Sequence, residues 1–177
     1  MPNYRRVFAE GHSYFLTVVT QNRVAILIKN IELLKKCFRL SKLKYCYTIN
    51  AIVVLPDHFH IIITPQNCLD YPKIISHLKR SFVYGLDFRI KEVLKKDLSV
   101  AQRERKNSGI WQKRFYEHTI RDEKDYQIKF HYIHFNPVKH RLVKRARDWQ
   151  YSSFAKYVEM GIYDINWIDF DENIDFE

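Results

Sequence analysis

Glycine, proline and cysteine are all scarce in this chain of 177 residues, which contains four glycines, five prolines and three cysteines. So little glycine and proline is not typical of a low-complexity disordered chain. An odd number of cysteines without a C-x-x-C pair argues against a disulfide framework and against a cysteine zinc site. No apolar run has the length of a membrane span, and residues 1–6 contain no apolar signal segment. We therefore expect a cytoplasmic protein with no membrane partner.

Acidic residues are concentrated at the C-terminal end. The formal net charge is +10, yet residues 157–177 contain seven acidic side chains and no lysine or arginine, which leaves 30 basic against 13 acidic side chains elsewhere. A positive field of this kind attracts polyanions, although charge alone does not separate DNA from RNA or an acidic membrane. We predict a single domain over residues 1–177. Its acidic segment 157–177 is interpreted as a solvated tail in preference to an intramolecular competitor for DNA.

Hydrophobic periodicity predicts strands and helices that alternate along the chain. The predicted strands are 14–20, 47–54, 58–64 and 110–120, and the predicted helices are 31–43, 72–90 and 122–136. A Pro-Asp turn separates the second strand from the third, which we expect to be antiparallel to it. The highly charged residues 91–108 are predicted to be a connection or a short exposed helix. The pattern favours an α+β fold, with an antiparallel sheet and helices packed on one face.

The first candidate for chemistry is the sequence His58-Phe59-His60 on the third predicted strand. Side chains alternate across a strand, so the two imidazoles share a face and lie roughly 7 Å apart along it. They can therefore converge on one cation. An H-x-H pair is a weak signal by itself, since the chain has eight histidines and two unrelated surface histidines are the ordinary alternative.

The second candidate is Tyr132, with Asn136 one helical turn further along the same predicted face. A phenol with a pKa of about 10 needs a nearby cation to act as a nucleophile. Asn136 could supply an oxygen ligand to such a cation. Packing in the core is the competing interpretation, because aromatic residues on amphipathic helices are usually buried. Tyr116 and Tyr126 are reserve nucleophiles.

Four ordered motifs carry a resemblance to a known family. They are Val54–His60 (VLPDHFH), Trp111–His118 (WQKRFYEH), Tyr132–His140 (YIHFNPVKH) and Asp148–Phe154 (DWQYSSF). Together they resemble the REP-associated tyrosine transposases, which belong with the single-tyrosine HUH transposases. The similarity extends from residue 4 to about residue 167.

The resemblance implies a ferredoxin-like fold and a metal-dependent enzyme that cleaves and rejoins single-stranded DNA through a 5′-phosphotyrosine intermediate. It makes His58 and His60 metal ligands, Tyr132 the nucleophile, and Asn136 the residue that completes the site. Related transposases often have glutamine at this last position. The implied cofactor is Mg²⁺ or Mn²⁺, and the implied partner is single-stranded or hairpin DNA. Either a monomer or a homodimer is compatible with the family.

Basic residues near aromatic ones are the candidates for DNA binding, since cations hold phosphates while rings stack on bases. They are Arg5, Arg6, Lys79, Arg80, Lys113, Arg114, Lys139, His140, Arg141 and Lys144. A solvated helix end is the competing interpretation for the residues after 138. Glu117 and His118 are interpreted as structural in preference to acid–base groups.

Two other functions remain open at this point. A domesticated relative could bind DNA without catalysis, although pure binding does not require both histidines, the tyrosine and the asparagine. An HUH enzyme that initiates plasmid replication or conjugation would commonly carry further domains. We therefore expect a transposase.

Overall fold

A four-stranded antiparallel sheet forms the centre of the computed structural model, which describes residues 6–96, 98 and 108–167. The strands are β1 (Tyr14–Val19), β2 (Tyr47–Val54), β3 (His58–Pro65) and β4 (Tyr116–Thr119). They lie in the order β2-β3-β1-β4, and each neighbouring pair is antiparallel. This arrangement confirms the predicted α+β class and the ferredoxin-like fold.

Helices connect the strands and continue beyond the last one. They are α1 (Ile31–Lys44), α2 (Tyr71–Gly85), α3 (Phe88–Lys96), α4 (Glu123–Lys139) and α5 (Phe154–Glu159). None of the helices in the described ranges is both long enough and apolar enough to cross a membrane.

The helices occupy both faces of the sheet, which corrects the expectation that they lie on one. Ile61 and Ile63 of β3 pack with α1 and α2, whereas Ile62 packs with Phe130 and Ile133 of α4. The physical reason lies in β3, which is buried on both of its faces along most of its length. A strand that is apolar on both faces requires a layer on each side. We call the side covered by α4 the α4 face.

Two predicted elements are interrupted in the structure. The predicted helix 72–90 is interrupted because Leu86 is extended, so that α2 ends at Gly85 and α3 begins at Phe88. A side chain at Gly85 would begin 2.5 Å from Leu33 Cδ1, so glycine allows α1 and α2 to approach closely here. The predicted strand 110–120 is reduced to β4 and an isolated bridge between Thr20 and Trp111.

The end of α4 also differs, because Pro137 lies inside the helix and does not terminate it. A proline in the last turn removes a single backbone hydrogen bond, and α4 ends two residues later at Lys139. Of the predicted connection 91–108, residues 91–96 belong to α3. Residues 97 and 99–107 lie outside the described residues, as does the part of the acidic segment after residue 167.

Residues 151–153 run beside the outer edge of β2. The Val54 N–H donates to the Tyr151 carbonyl at 2.8 Å, and the Ser153 N–H donates to the Ile52 carbonyl at 2.9 Å. The buried His134 of α4 bonds to Ser153 Oγ through Nε2 at 2.8 Å. This segment therefore joins the edge of the sheet to α4.

A buried carboxylate connects α4 to β4. Asp125 accepts from His118 Nε2 at 2.7 Å and from the Arg121 backbone N–H at 3.0 Å. Burial opposes ionisation of Asp125, but these hydrogen bonds outweigh it and lower the pKa of the carboxyl group. The neighbouring Glu117 pairs with Arg6 at 3.2 Å and accepts from Tyr71 at 2.8 Å. The bond of His118 to Asp125 and the two contacts of Glu117 support the structural interpretation of these residues.

Replacing Asp125 by asparagine should lower the free energy of unfolding at pH 7 by about 1–3 kcal/mol, because His118 and the Arg121 N–H lose a charged acceptor. The folded-state pKa of Asp125 lies below its unfolded value. Its contribution is therefore fully present above about pH 4 and is lost as the pH falls through the folded-state pKa. Urea denaturation should show that the difference in free energy of unfolding between the variant and the wild type stays nearly constant from pH 7 to about pH 4 and shrinks below that pH.

The control is Glu123→Gln, an exposed change in the same turn that should alter stability by no more than about 0.5 kcal/mol. Equal stability of Asp125→Asn and the wild type at pH 7 would contradict the role assigned to this carboxylate.

Candidate active site

The two histidines of the H-x-H pair lie side by side on the α4 face. In the antiparallel register, His58 is opposite Val19 of β1 and His60 is opposite Thr17. Both side chains are buried, and their ring centroids are 4.9 Å apart at an interplanar angle of 89°. Strand alternation thus gives the common face that the sequence predicted.

Each imidazole is oriented through its Nδ1 atom. His58 Nδ1 lies 2.6 Å from Asp57 Oδ1, and His60 Nδ1 lies 2.8 Å from Thr17 Oγ1. Nδ1 of His58 carries a hydrogen and donates it in a hydrogen bond to the carboxylate, which leaves Nε2 of His58 with a lone pair. His60 Nε2 is buried and has no hydrogen-bond partner among the residues that the structure describes. Histidine ligands of metals are commonly oriented in this way, through the ring nitrogen that does not bind the metal.

The surroundings keep both imidazoles neutral. Burial lowers the pKa of His58, although the Asp57 carboxylate opposes the shift. Burial and the positive charge of neighbouring groups hold the pKa of His60 well below its usual range. A neutral imidazole is the form that binds a metal ion.

Tyr132 projects from α4 onto this pair. Its ring centroid lies 5.2 Å from that of His60, at an interplanar angle of 75°, and 5.8 Å from that of Phe15. The ammonium of Lys139 lies 5.0 Å from the centre of the phenol ring. Burial raises the pKa of Tyr132, and its contact with Asn136 opposes the shift. The half-buried phenol therefore faces the histidines from the neighbouring layer.

Asn136 supplies a second buried polar group at the site. The residue is fully buried, and neither Oδ1 nor Nδ2 has a hydrogen-bond partner of ordinary geometry in the described part of the chain. Such a group costs free energy unless an ion or a water molecule satisfies it. With His60 Nε2, it gives a donor set that fits a small divalent cation. No group of three or more His, Cys, Asp and Glu side chains within the described residues could hold a metal, so a site here depends on Asn136, water or phosphate for its other ligands.

Comparison with known proteins identifies the family at this point. The family model described as "Transposase IS200 like" matches residues 9–136, a range that contains the histidine pair, the tyrosine and the asparagine. This chain belongs to that family.

Individual relatives of this transposase agree with the assignment. It is 34% identical to the REP-associated tyrosine transposase of Escherichia coli over 169 residues, which are 94% of this chain and 91% of that protein. A Haemophilus influenzae protein that carries the same name provisionally is 38% identical over 94% of this chain and 93% of its own. A solved REP-associated tyrosine transposase bound to a REP hairpin matches with a TM-score of 0.78 and 32% identity, covering 96% of this chain and 93% of the other. The transposase predicted from the motifs is therefore confirmed.

Four of the basic residues predicted to bind DNA line one groove, and two others lie beside Tyr132 and His58. Arg6, Lys79, Arg80 and Lys113 line an open groove of about 660 Å³ beside α2. Trp111 and Phe115 contribute aromatic surface to this groove, which we call the α2 groove.

The remaining candidates lie elsewhere. Lys139 is beside Tyr132, and the ring of His140 lies 5.3 Å from that of His58. Arg114, Arg141 and Lys144 are exposed, and Arg5 lies outside the described residues.

Sequence reasoning missed several residues at the site. Thr17 and Phe15 reach it from β1, and only the strand register shows that they adjoin His60. Asp57 was recognised only as part of a turn, although its position next to His58 was a signal. Of the reserve nucleophiles, Tyr116 lies beside Phe15 on the α4 face, whereas Tyr126 stacks on Phe130.

Neighbouring cations in the α2 groove should respond differently to substitution. Lys79 donates to the Gln112 carbonyl at 2.6 Å, and burial lowers its pKa to about 8. Lys79→Met should therefore reduce the free energy of unfolding by about 1–3 kcal/mol, because a backbone acceptor loses its partner. The exposed Arg80 is the matched control, for which Arg80→Met should change stability by no more than about 0.5 kcal/mol.

DNA binding separates these variants further. Arg80→Met should weaken DNA binding and reduce the slope of log affinity against log salt by about one. Urea denaturation and a salt titration of DNA affinity provide the measurements. If Arg80→Met leaves affinity and salt slope unchanged, the groove does not contact DNA through this residue.

Proposed function

We propose that this chain is a metal-dependent enzyme that cleaves and rejoins single-stranded DNA, with Tyr132 as its nucleophile. The observation that carries this proposal is the 5.2 Å contact between the phenol ring of Tyr132 and the imidazole of His60. Tyr132 of α4 and His60 of β3 meet there, beside buried polar atoms of His60 and Asn136 that have no hydrogen-bond partner of ordinary geometry among residues 6–96, 98 and 108–167. A tyrosine with a purely structural role does not require such buried polar atoms beside it.

The proposed reaction is a transesterification. The Tyr132 oxygen attacks the scissile phosphorus, and a phosphotyrosine bond to the 5′ side forms as the bond to the 3′ oxygen breaks. The phenol loses its proton to solvent, and the departing 3′ oxygen takes one up. Attack by the 3′-hydroxyl of another strand then restores a phosphodiester and releases Tyr132. This covalent route divides one displacement into two.

Ionisation of Tyr132 needs positive charge nearby, because burial raises the pKa of the phenol. Lys139 supplies a cation at 5.0 Å from the ring. Phe15 and His60 pack against the phenol from the sheet and fix its orientation. The exposed His140 stands next to His58, where it can contact a phosphate oxygen of the DNA.

Nε2 of His58, Nε2 of His60 and Oδ1 of Asn136 are the atoms that would hold the divalent ion. When bound, the ion supplies Lewis-acid stabilisation of the phosphate oxygens. Imidazole ligands alone also suit Zn²⁺, but phosphate and water oxygens would complete the coordination sphere, and oxygen ligands suit Mg²⁺ or Mn²⁺. We assign Mg²⁺ or Mn²⁺ on that basis.

The proposed substrate is a DNA hairpin with a single-stranded flank. The related transposase of known structure is bound to a REP hairpin. In this chain the net charge of +10 and the aromatic and basic lining of the α2 groove support the same class of partner. We place the reaction in the cytoplasm.

Tyr132→Phe should abolish formation of a covalent protein–DNA adduct while retaining hairpin binding, because only the nucleophilic oxygen is removed. A labelled hairpin with a single-stranded flank, incubated with Mn²⁺ and analysed on a denaturing gel, measures the adduct. Tyr116→Phe is the matched control, since Tyr116 also adjoins Phe15. It should retain the adduct.

Other outcomes of the same assay are informative. An adduct formed by Tyr132→Phe would assign the nucleophile to another residue. An adduct that persists after chelation would contradict the metal dependence. Hairpin binding by the wild type without an adduct on any hairpin would favour the non-catalytic DNA-binding alternative.

A further inference from the structure

We propose that Asp57 and Arg23 are positioning residues that orient His58 for the metal ion, and that the turn at residues 20–24 exists to hold them. This inference rests on the metal site proposed above. It assigns to Asp57 and Arg23 a role that acts through His58.

Both oxygens of the Asp57 carboxylate have partners. Oδ1 accepts from His58 Nδ1 at 2.6 Å, and Oδ2 accepts from Arg23 Nη1 at 3.0 Å. The Asp57 side chain is 17% exposed and that of Arg23 is 62% exposed, so solvent competes little for the bond to His58 and more for the bond to Arg23. The carboxylate therefore forms a bridge between a residue of β3 and the loop after β1.

The backbone of Asp57 is fixed as well. Its carbonyl accepts from the Thr20 N–H at 2.8 Å and from Thr20 Oγ1 at 2.9 Å. Thr20 is fully buried, and its hydroxyl also lies 2.9 Å from the Val24 carbonyl. One side chain thus closes the turn and attaches it to Asp57.

The turn itself has an unusual backbone. Asn22 and Arg23 have φ angles of 53° and 52°, in a region that residues other than glycine rarely adopt. Strain of this kind persists where the surrounding structure holds it, and it is concentrated at functional sites. In this backbone conformation the guanidinium of Arg23 reaches Asp57. An ordinary surface ion pair does not require consecutive residues in this conformation.

The consequence for His58 is a fixed tautomer. A proton held on Nδ1 by the carboxylate leaves Nε2 as the acceptor, on the face where the rings of His60 and His140 lie 4.9 Å and 5.3 Å away. The opposite tautomer would place a proton where the metal must bind. The partner of His60 Nδ1 is the hydroxyl of Thr17, and a hydroxyl can donate or accept. His58 is therefore the ligand whose tautomer the protein selects with a charge.

The test is the Mn²⁺ affinity of the full-length protein by titration calorimetry, without DNA. Asp57→Ala should weaken Mn²⁺ binding about 10–100-fold, the usual effect of removing such an outer partner. Asp57→Asn should lie between Asp57→Ala and the wild type, because its amide oxygen still accepts from Nδ1. Arg23→Met should weaken binding in the same direction by a smaller factor.

The matched control is Asp70→Ala, which removes a carboxylate of similar exposure that pairs with Lys73. It should leave Mn²⁺ affinity unchanged. Thermal unfolding without metal tests the folding of each variant, and imidazole ¹⁵N shifts report the tautomer of His58. If Asp57→Ala does not fold, the Asp57→Asn and Arg23→Met variants carry the comparison.

Two results would overturn the inference in distinguishable ways. If Asp57→Ala binds Mn²⁺ with the affinity of the wild type, the positioning role is removed and the metal site remains. Where Asp57→Ala does not fold, wild-type affinity in both Asp57→Asn and Arg23→Met has the same meaning. Wild-type protein that binds no Mn²⁺, or binds it equally well after His58→Ala, would remove the metal site and the inference together.

Discussion

Alternation of side chains along β3 is the constraint on which the candidate site depends. His58 and His60 can share a face only if Phe59 and Ile61 occupy the other, and those residues pack with α1 and α2. The face with the histidines is then free for α4, which brings Tyr132 and Asn136 onto it. A shift of the register by one residue would exchange the two sets. The hydrophobic core of one layer thus determines the polar geometry of the next.

Local periodicity in the sequence was sufficient to predict part of this arrangement. The common face of His58 and His60 follows from the period of a strand, and the alignment of Tyr132 with Asn136 follows from that of a helix. Thr17 and Arg23 could not be found in this way, because their contacts depend on the pairing of β1 with β3 and on the conformation of a turn.

The expectations that were wrong have separate physical origins. The helices were expected on one face of the sheet, but β3 is covered on both faces, and this places α4 opposite α1 and α2. Pro137 is tolerated in the last turn of α4, where it removes a single hydrogen bond, and the helix predicted over 72–90 is interrupted where Leu86 is extended. The location of the basic residues could not be predicted either. Composition shows their charge, but only the fold separates those in the α2 groove from those beside Tyr132.

The strip formed by residues 151–153 has a consequence for self-association. An uncovered outer strand offers its backbone groups to any other extended chain and is a common origin of aggregation. Here the outward N–H of Val54 and carbonyl of Ile52 are already bonded. A second copy of the protein cannot lengthen the sheet at that end of β2 without displacing this strip, to which α4, the helix that carries Tyr132, is itself attached through His134. The same short segment therefore protects the sheet against uncontrolled pairing and supports α4.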